Sequence, residues 1–151
     1  MSDSVFGPEA KRALSAVLDE IIPPTPNGSL PGAGALGIGS YVEEKLGAAG
    51  AAIAESLAVL DQLAADRGAG SYATAQAEDR LPLLNELAER DPGFLGGLIF
   101  HTYGGYYHSP RVVEVLGLES WPPHPKGYEL EPGDLSLLDR VRARPKLYRD
   151  V

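Results

Sequence analysis

Apolar residues recur every three or four positions along most of this chain, which is the spacing of one face of an α-helix. In residues 8–22 this stripe consists of Leu14, Val17, Leu18, Ile21 and Ile22. In residues 48–67 it consists of Ile53, Leu57, Leu60, Leu63 and Ala64. No segment shows the sustained alternation that is typical of strands. The pattern therefore predicts an all-α fold, a single compact domain over residues 1–151 with about five to seven helices.

Proline and glycine mark where the predicted helices end. The first helix must stop at Pro23-Pro24, and residues 23–35 are too rich in Pro and Gly for regular structure. Pro82 suits the first turn of a helix that runs to about Arg90. Between these, a short helix has an apolar side formed by Ile38, Tyr41, Val42 and Leu46.

A further helix is predicted to start at Asp91-Pro92, where a capping side chain precedes a preset backbone angle. Its apolar residues cover most of the circumference, so we expect a central, buried helix. It ends near Ser109-Pro110, because the residue before proline avoids helical geometry. Ser109 is then expected to cap a short helix over residues 111–116.

The last third of the chain is predicted to be an extended arm, residues 119–151, with one short helix at about 135–144. Residues 140–150 carry five basic groups and one acid, whereas the rest of the chain carries eight basic and twenty acidic groups. This asymmetry fits a tail that docks on a partner, and equally a tail that folds back on its own acidic body. The net charge of −8 argues against a nucleic-acid partner.

Three further properties of the sequence limit the chemistry and the cellular location that we expect. The chain contains no cysteine, so disulfides, thiolate metal sites and cysteine nucleophiles are excluded. We expect no membrane span, because no run of about 18 apolar residues is present. The first residues, MSDSVFGPEAKRAL, lack a signal-peptide pattern and a twin-arginine pair. We therefore expect a cytoplasmic location, or a periplasmic one only through co-export with a partner or if the natural chain is longer.

The richest stretch for function is FHTYGGYYHSPRVVEVLG, residues 100–117. Polar-tipped aromatic rings at this density line interfaces or pockets, or pack in a core with their hydroxyls bonded to loop carbonyls. Both readings stay open. The residues expected to face a ligand or a partner are His101, Tyr103, Tyr106, Tyr107, His108, Trp121 and His124.

His101 and His108 do not have the spacing of a metal pair. Seven residues of helix correspond to a rise of about 10.5 Å, whereas two histidine nitrogens on one zinc ion each lie about 2.1 Å from it. Only a break at Gly104-Gly105 would bring them together, so we assign no metal site. We also identify no catalytic residue.

The segment GAGALG, residues 32–37, has the literal spacing of a dinucleotide fingerprint. That fingerprint needs a strand before it and a helix after it. Here a helix and a proline-rich loop come first, so nucleotide binding is not predicted.

Two long segments together resemble a known family. LSAVLDEIIPPTPNGSLPGAGALGIGSYVEEKL has a helix that ends in an Ile-Ile-Pro break, a loop with a Pro-Gly-Ala element and a helix with an aromatic residue. FLGGLIFHTYGGYYHSPRVVEVLG is followed by a Trp-Pro-Pro segment and a Gly-Tyr pair. In this order they resemble the gluconate 2-dehydrogenase subunit 3 family over roughly residues 10–130.

The resemblance implies a small helical subunit without a cofactor of its own. Such a subunit accompanies a large FAD-dependent sugar or alcohol dehydrogenase of the glucose-methanol-choline type and serves its assembly, stability or co-export. Many members carry a twin-arginine signal, which this sequence lacks as written. The alternative from the residues is a stand-alone small enzyme or sugar-binding protein that uses the cluster of His101, Tyr103, Tyr107 and His108, with or without a metal.

Overall fold

The apolar stripes of the sequence become helices in the computed structural model, which describes residues 4–118 and 133–145. Those residues form helices, turns and loops and contain no strand, so the predicted all-α class is confirmed. The chain divides into two compact units, Met1–Ser120 and Trp121–Val151. The first is the helical unit. Of the predicted arm, residues 119–151, the structure describes residues 133–145, and the rest lies outside the described residues.

Helices α1 (Pro8–Ile21) and α3 (Gly50–Asp66) form the centre of the helical unit. They pack against each other, and each contributes fully buried side chains to the core, such as Val17 and Leu57. Pro8 occupies the first turn of α1, where its missing N–H leaves no hydrogen bond unmade. Helix α3 ends as predicted, because Gly68 adopts a φ of +82° that glycine tolerates best.

Helix α2 (Gly39–Leu46) leads into α3 through a short 3₁₀ turn, Gly47–Ala49. By length and composition the stretch Gly39–Asp66 is apolar enough to cross a membrane. The same property is found in core helices, and here Leu57 and Leu60 are fully buried in the helical unit. A third of its most apolar window is buried, so length and composition alone are weak evidence for a membrane span.

The Pro/Gly-rich loop between α1 and α2 is irregular, as predicted, but it is held closely on α1. Asp19 accepts hydrogen bonds from the N–H groups of Gly34 (2.9 Å) and Ala35 (3.2 Å). A side chain on Gly34 would overlap the carbonyl of Ser15, so this position requires glycine. Gly32 and Gly34 of GAGALG thus permit close packing on α1. No strand precedes them in the described residues from Ser4 onward.

Helix α4 (Ala77–Arg90) begins earlier than the sequence predicted, which places Pro82 inside the helix. The start is fixed by Arg80, whose guanidinium donates to the carbonyls of Ala73 and Ala75 at 3.1 Å. Glu78 and Asp79 in the first turn add favourable interactions with the helix dipole. These contacts start the helix before Pro82, whereas the sequence pattern placed this proline in the first turn.

Helices α5 (Phe94–His108) and α6 (Pro110–Val115) complete the helical unit. Helix α5 starts three residues after Asp91, because the Asp91 carboxylate first closes a turn on the N–H of Gly93 at 3.2 Å. Ser109 precedes α6 as predicted, but its side chain makes no capping hydrogen bond. Its carbonyl instead accepts from the N–H groups of Val112 and Val113.

In the second unit the described residues form a 3₁₀ turn, Leu135–Leu138, followed by the short helix α7 (Asp139–Arg142). The side chain of Asp134 accepts from the N–H of Ser136 and caps the turn. The short helix predicted at about 135–144 is therefore present. Every described residue of this unit is exposed.

Candidate functional site: the outer face of helix α5

Helix α5 has a buried inner face and an exposed outer face. The inner face consists of Phe94, Leu98, Thr102, Gly105 and Tyr106. The outer face carries Ile99, Phe100, Tyr103 and Tyr107, which we call the aromatic face. The prediction of a central, buried helix is therefore wrong for the outer face. Residues 92–110 contain no Asp, Glu, Lys or Arg, so the aromatic face has no charged residue within it.

The inner face is fixed by two close contacts. The ring of Tyr41 on α2 lies against the backbone of Gly105, where a Cβ would be only 2.7 Å from Tyr41 Cδ1. The hydroxyl of Tyr106 donates to the carbonyl of Pro31 at 2.9 Å and ties α5 to the Pro/Gly-rich loop. Burial, with a smaller contribution from the neighbouring Tyr107, raises the pKa of Tyr106. Tyr106 is thus a core residue whose hydroxyl bonds a loop carbonyl, one of the two readings left open by the sequence.

The rings of the aromatic face contact one another and the neighbouring rings of His101 and Tyr106. Tyr103 and Tyr107 stack with ring centroids 6.0 Å apart, and the edge of Tyr106 meets Tyr107 at 5.3 Å. Both outer tyrosines are about half exposed, at 47% and 50%. Phe100 is 73% exposed and contacts His101 edge to face at 5.3 Å. Tyrosine, with an apolar ring and a polar tip, is enriched at protein interfaces.

The two histidines of α5 do not converge. The helix runs unbroken from Phe94 to His108, so the break at Gly104-Gly105 that would bring them together is absent. His101 is half-buried and His108 is exposed. Among the described residues, no group of three His, Cys, Asp or Glu side chains is arranged to hold a metal ion. The arrangement does not support a joint metal site for His101 and His108.

Three clefts with volumes of about 160, 190 and 410 Å³ lie along α1. The residues that line them come from α1, α2, α3 and the adjoining loops, and none belongs to the aromatic face. These clefts therefore do not join the aromatic cluster in a common small-molecule site. Trp121 and His124, the remaining predicted site residues, lie outside the described residues.

Two important residues were missed by sequence reasoning. Phe100 is the most exposed ring of the aromatic face, and the signal for it was the absence of charge throughout residues 92–110. Tyr72 is fully buried, and its hydroxyl has no hydrogen-bond partner among the described residues. Burial, together with the charge of Glu20, raises the pKa of Tyr72. The sequence around Tyr72 has no periodicity that would have indicated its burial.

The chain matches one protein-family model. The model described as Gluconate 2-dehydrogenase subunit 3 matches residues 8–125, a span that begins with α1 and extends beyond α6. This match confirms the family resemblance carried by the two long sequence segments. No curated protein and no solved structure shows significant similarity to the chain.

Proposed function

Because this chain belongs to the gluconate 2-dehydrogenase subunit 3 family, we propose that it is a non-catalytic subunit of an oxidoreductase complex. It assembles with a large FAD-dependent sugar or alcohol dehydrogenase of the glucose-methanol-choline type and stabilises it. The subunit has no cofactor of its own, and the FAD is bound by the dehydrogenase. The cytoplasmic location stays a prediction, which fractionation of cells that express the tagged chain would test.

The aromatic face of α5 is the observation that carries this proposal. The centres of protein interfaces are depleted in charge and enriched in aromatic residues, as this face is. Its most exposed side chain, Phe100, has 73% of its surface in contact with solvent. Complete burial of a phenylalanine side chain contributes about 1.5–3 kcal/mol, so a partner that covers Phe100 gains a substantial part of its binding energy there.

The shape of the face favours contact with a folded protein surface. Gly96 and Gly104 lie one helical turn before and one turn after Phe100 on the same side of α5. A Cβ on Gly96 would meet nothing within 4 Å, so this position is open on the outer side. Gly104 is less open, since a Cβ there would lie 3.3 Å from the Tyr41 hydroxyl, so the open backbone beside the Phe100 ring is on the Gly96 side. This arrangement suits a pocket in the dehydrogenase whose rim approaches the helix backbone closely.

Co-expression with a flavin-dependent dehydrogenase of the glucose-methanol-choline type from the same organism, sought first among the neighbouring genes, tests the proposal. The wild-type chain should co-elute with the dehydrogenase as a 1:1 complex in size-exclusion chromatography. The variant Phe100→Ser/Tyr103→Ser should elute alone while keeping the melting temperature of the isolated wild-type chain, since both positions are exposed. The matched control is Val59→Ser/Leu81→Ser, which removes exposed apolar side chains from α3 and α4.

Three results of this co-expression experiment lead to different conclusions. Loss of the complex only in the α5 variant supports the proposed docking face. A wild-type chain that remains a stable monomer in the presence of the dehydrogenase contradicts the proposed function. A large drop in the melting temperature of the isolated α5 variant would show that another part of this chain covers the aromatic face.

A further inference from the structure

We draw no further inference here: the strongest candidate, the cleft of about 190 Å³ that Lys11 and Ser15 of α1 line together with Gly39 and Ser40 at the start of α2, rests on a helix N-terminus, and among the described residues no buried, unpartnered polar side chain lines it.

Discussion

Gly105 on α5 and Tyr41 on α2 meet at a distance that only a glycine permits. A Cβ on Gly105 would lie 2.7 Å from Tyr41 Cδ1 and 3.1 Å from Tyr41 Cε1. The pair Gly104-Gly105 therefore serves close packing of two helices rather than a break in α5. This contact holds the inner face of α5 against the core and leaves the aromatic face on the outside.

Substitution of Gly105 by alanine should destabilise the isolated chain. Overpacking against the Tyr41 ring costs about 1–3 kcal/mol, and the better helix propensity of alanine returns up to about 1 kcal/mol. We expect the free energy of unfolding, measured in urea, to fall by about 1–2 kcal/mol. In a Tyr41→Ala background the same substitution should no longer destabilise.

The control for this prediction is Gly96→Ala. A Cβ on Gly96 meets nothing within 4 Å, so only the helix propensity changes. The free energy of unfolding should rise by up to about 1 kcal/mol. Equal effects of the two alanine substitutions would show that Tyr41 does not constrain Gly105.

Removal of the Tyr106 hydroxyl should loosen the Pro/Gly-rich loop. Tyr106→Phe deletes the hydrogen bond to the Pro31 carbonyl, and we expect the free energy of unfolding to fall by about 0.5–1.5 kcal/mol. Faster amide hydrogen exchange in residues 23–35 would report the loosening directly. Tyr107→Phe changes an exposed hydroxyl and should shift stability by less than about 0.5 kcal/mol. Unchanged exchange in Tyr106→Phe would contradict a role of this bond in the loop.

The opposite effect is expected for Tyr72→Phe. The Tyr72 hydroxyl is buried without a partner among the described residues, so its removal abolishes an uncompensated desolvation cost. The free energy of unfolding should rise by about 1 kcal/mol. A fall as large as that of Tyr106→Phe would mean that the Tyr72 hydroxyl does have a partner in solution.

Stability should decline at alkaline pH. Burial raises the pKa of both Tyr72 and Tyr106 in the folded chain. The unfolded chain therefore releases these phenolic protons more readily once the pH exceeds about 10, and its population rises. Below the unfolded pKa both hydroxyls stay protonated in the folded and the unfolded chain, so their ionisation does not reduce stability. As the pH rises from there toward the folded pKa values, the free energy of unfolding falls. Urea unfolding at pH 8 and pH 10.5 should show a larger drop for wild type than for Tyr72→Phe/Tyr106→Phe, and equal drops would refute the assignment.

The order of the helices could be predicted from the sequence because it depends on local patterns of apolar residues, proline and glycine. The stripe of α3 and the glycine at its end specify that helix without reference to the rest of the chain. The start of α4 could not be predicted from the sequence, because it depends on hydrogen bonds from Arg80 to carbonyls of the preceding turn and not on the position of Pro82. Local patterns do not contain such side-chain contacts.

The sequence predicted the aromatic cluster of α5 but not which of its residues are buried. Its apolar residues surround the helix, so periodicity gave no indication of which face would be covered. That choice depends on Tyr41 and Pro31, which are distant in the sequence and contact Gly105 and Tyr106 on the inner face. The sequence therefore grouped Tyr106 with Tyr103 and Tyr107, whereas the fold separates a core tyrosine from two exposed ones.

The central claim is that the aromatic face of α5 binds the dehydrogenase, and calorimetric titration of Phe100→Ala tests it most directly. The account predicts a dissociation constant at least about tenfold higher than that of wild type, as expected for an aromatic side chain buried at the centre of an interface. Leu81→Ala, an exposed apolar residue on α4, should bind like wild type. Equal dissociation constants for Phe100→Ala, Leu81→Ala and wild type would contradict the account.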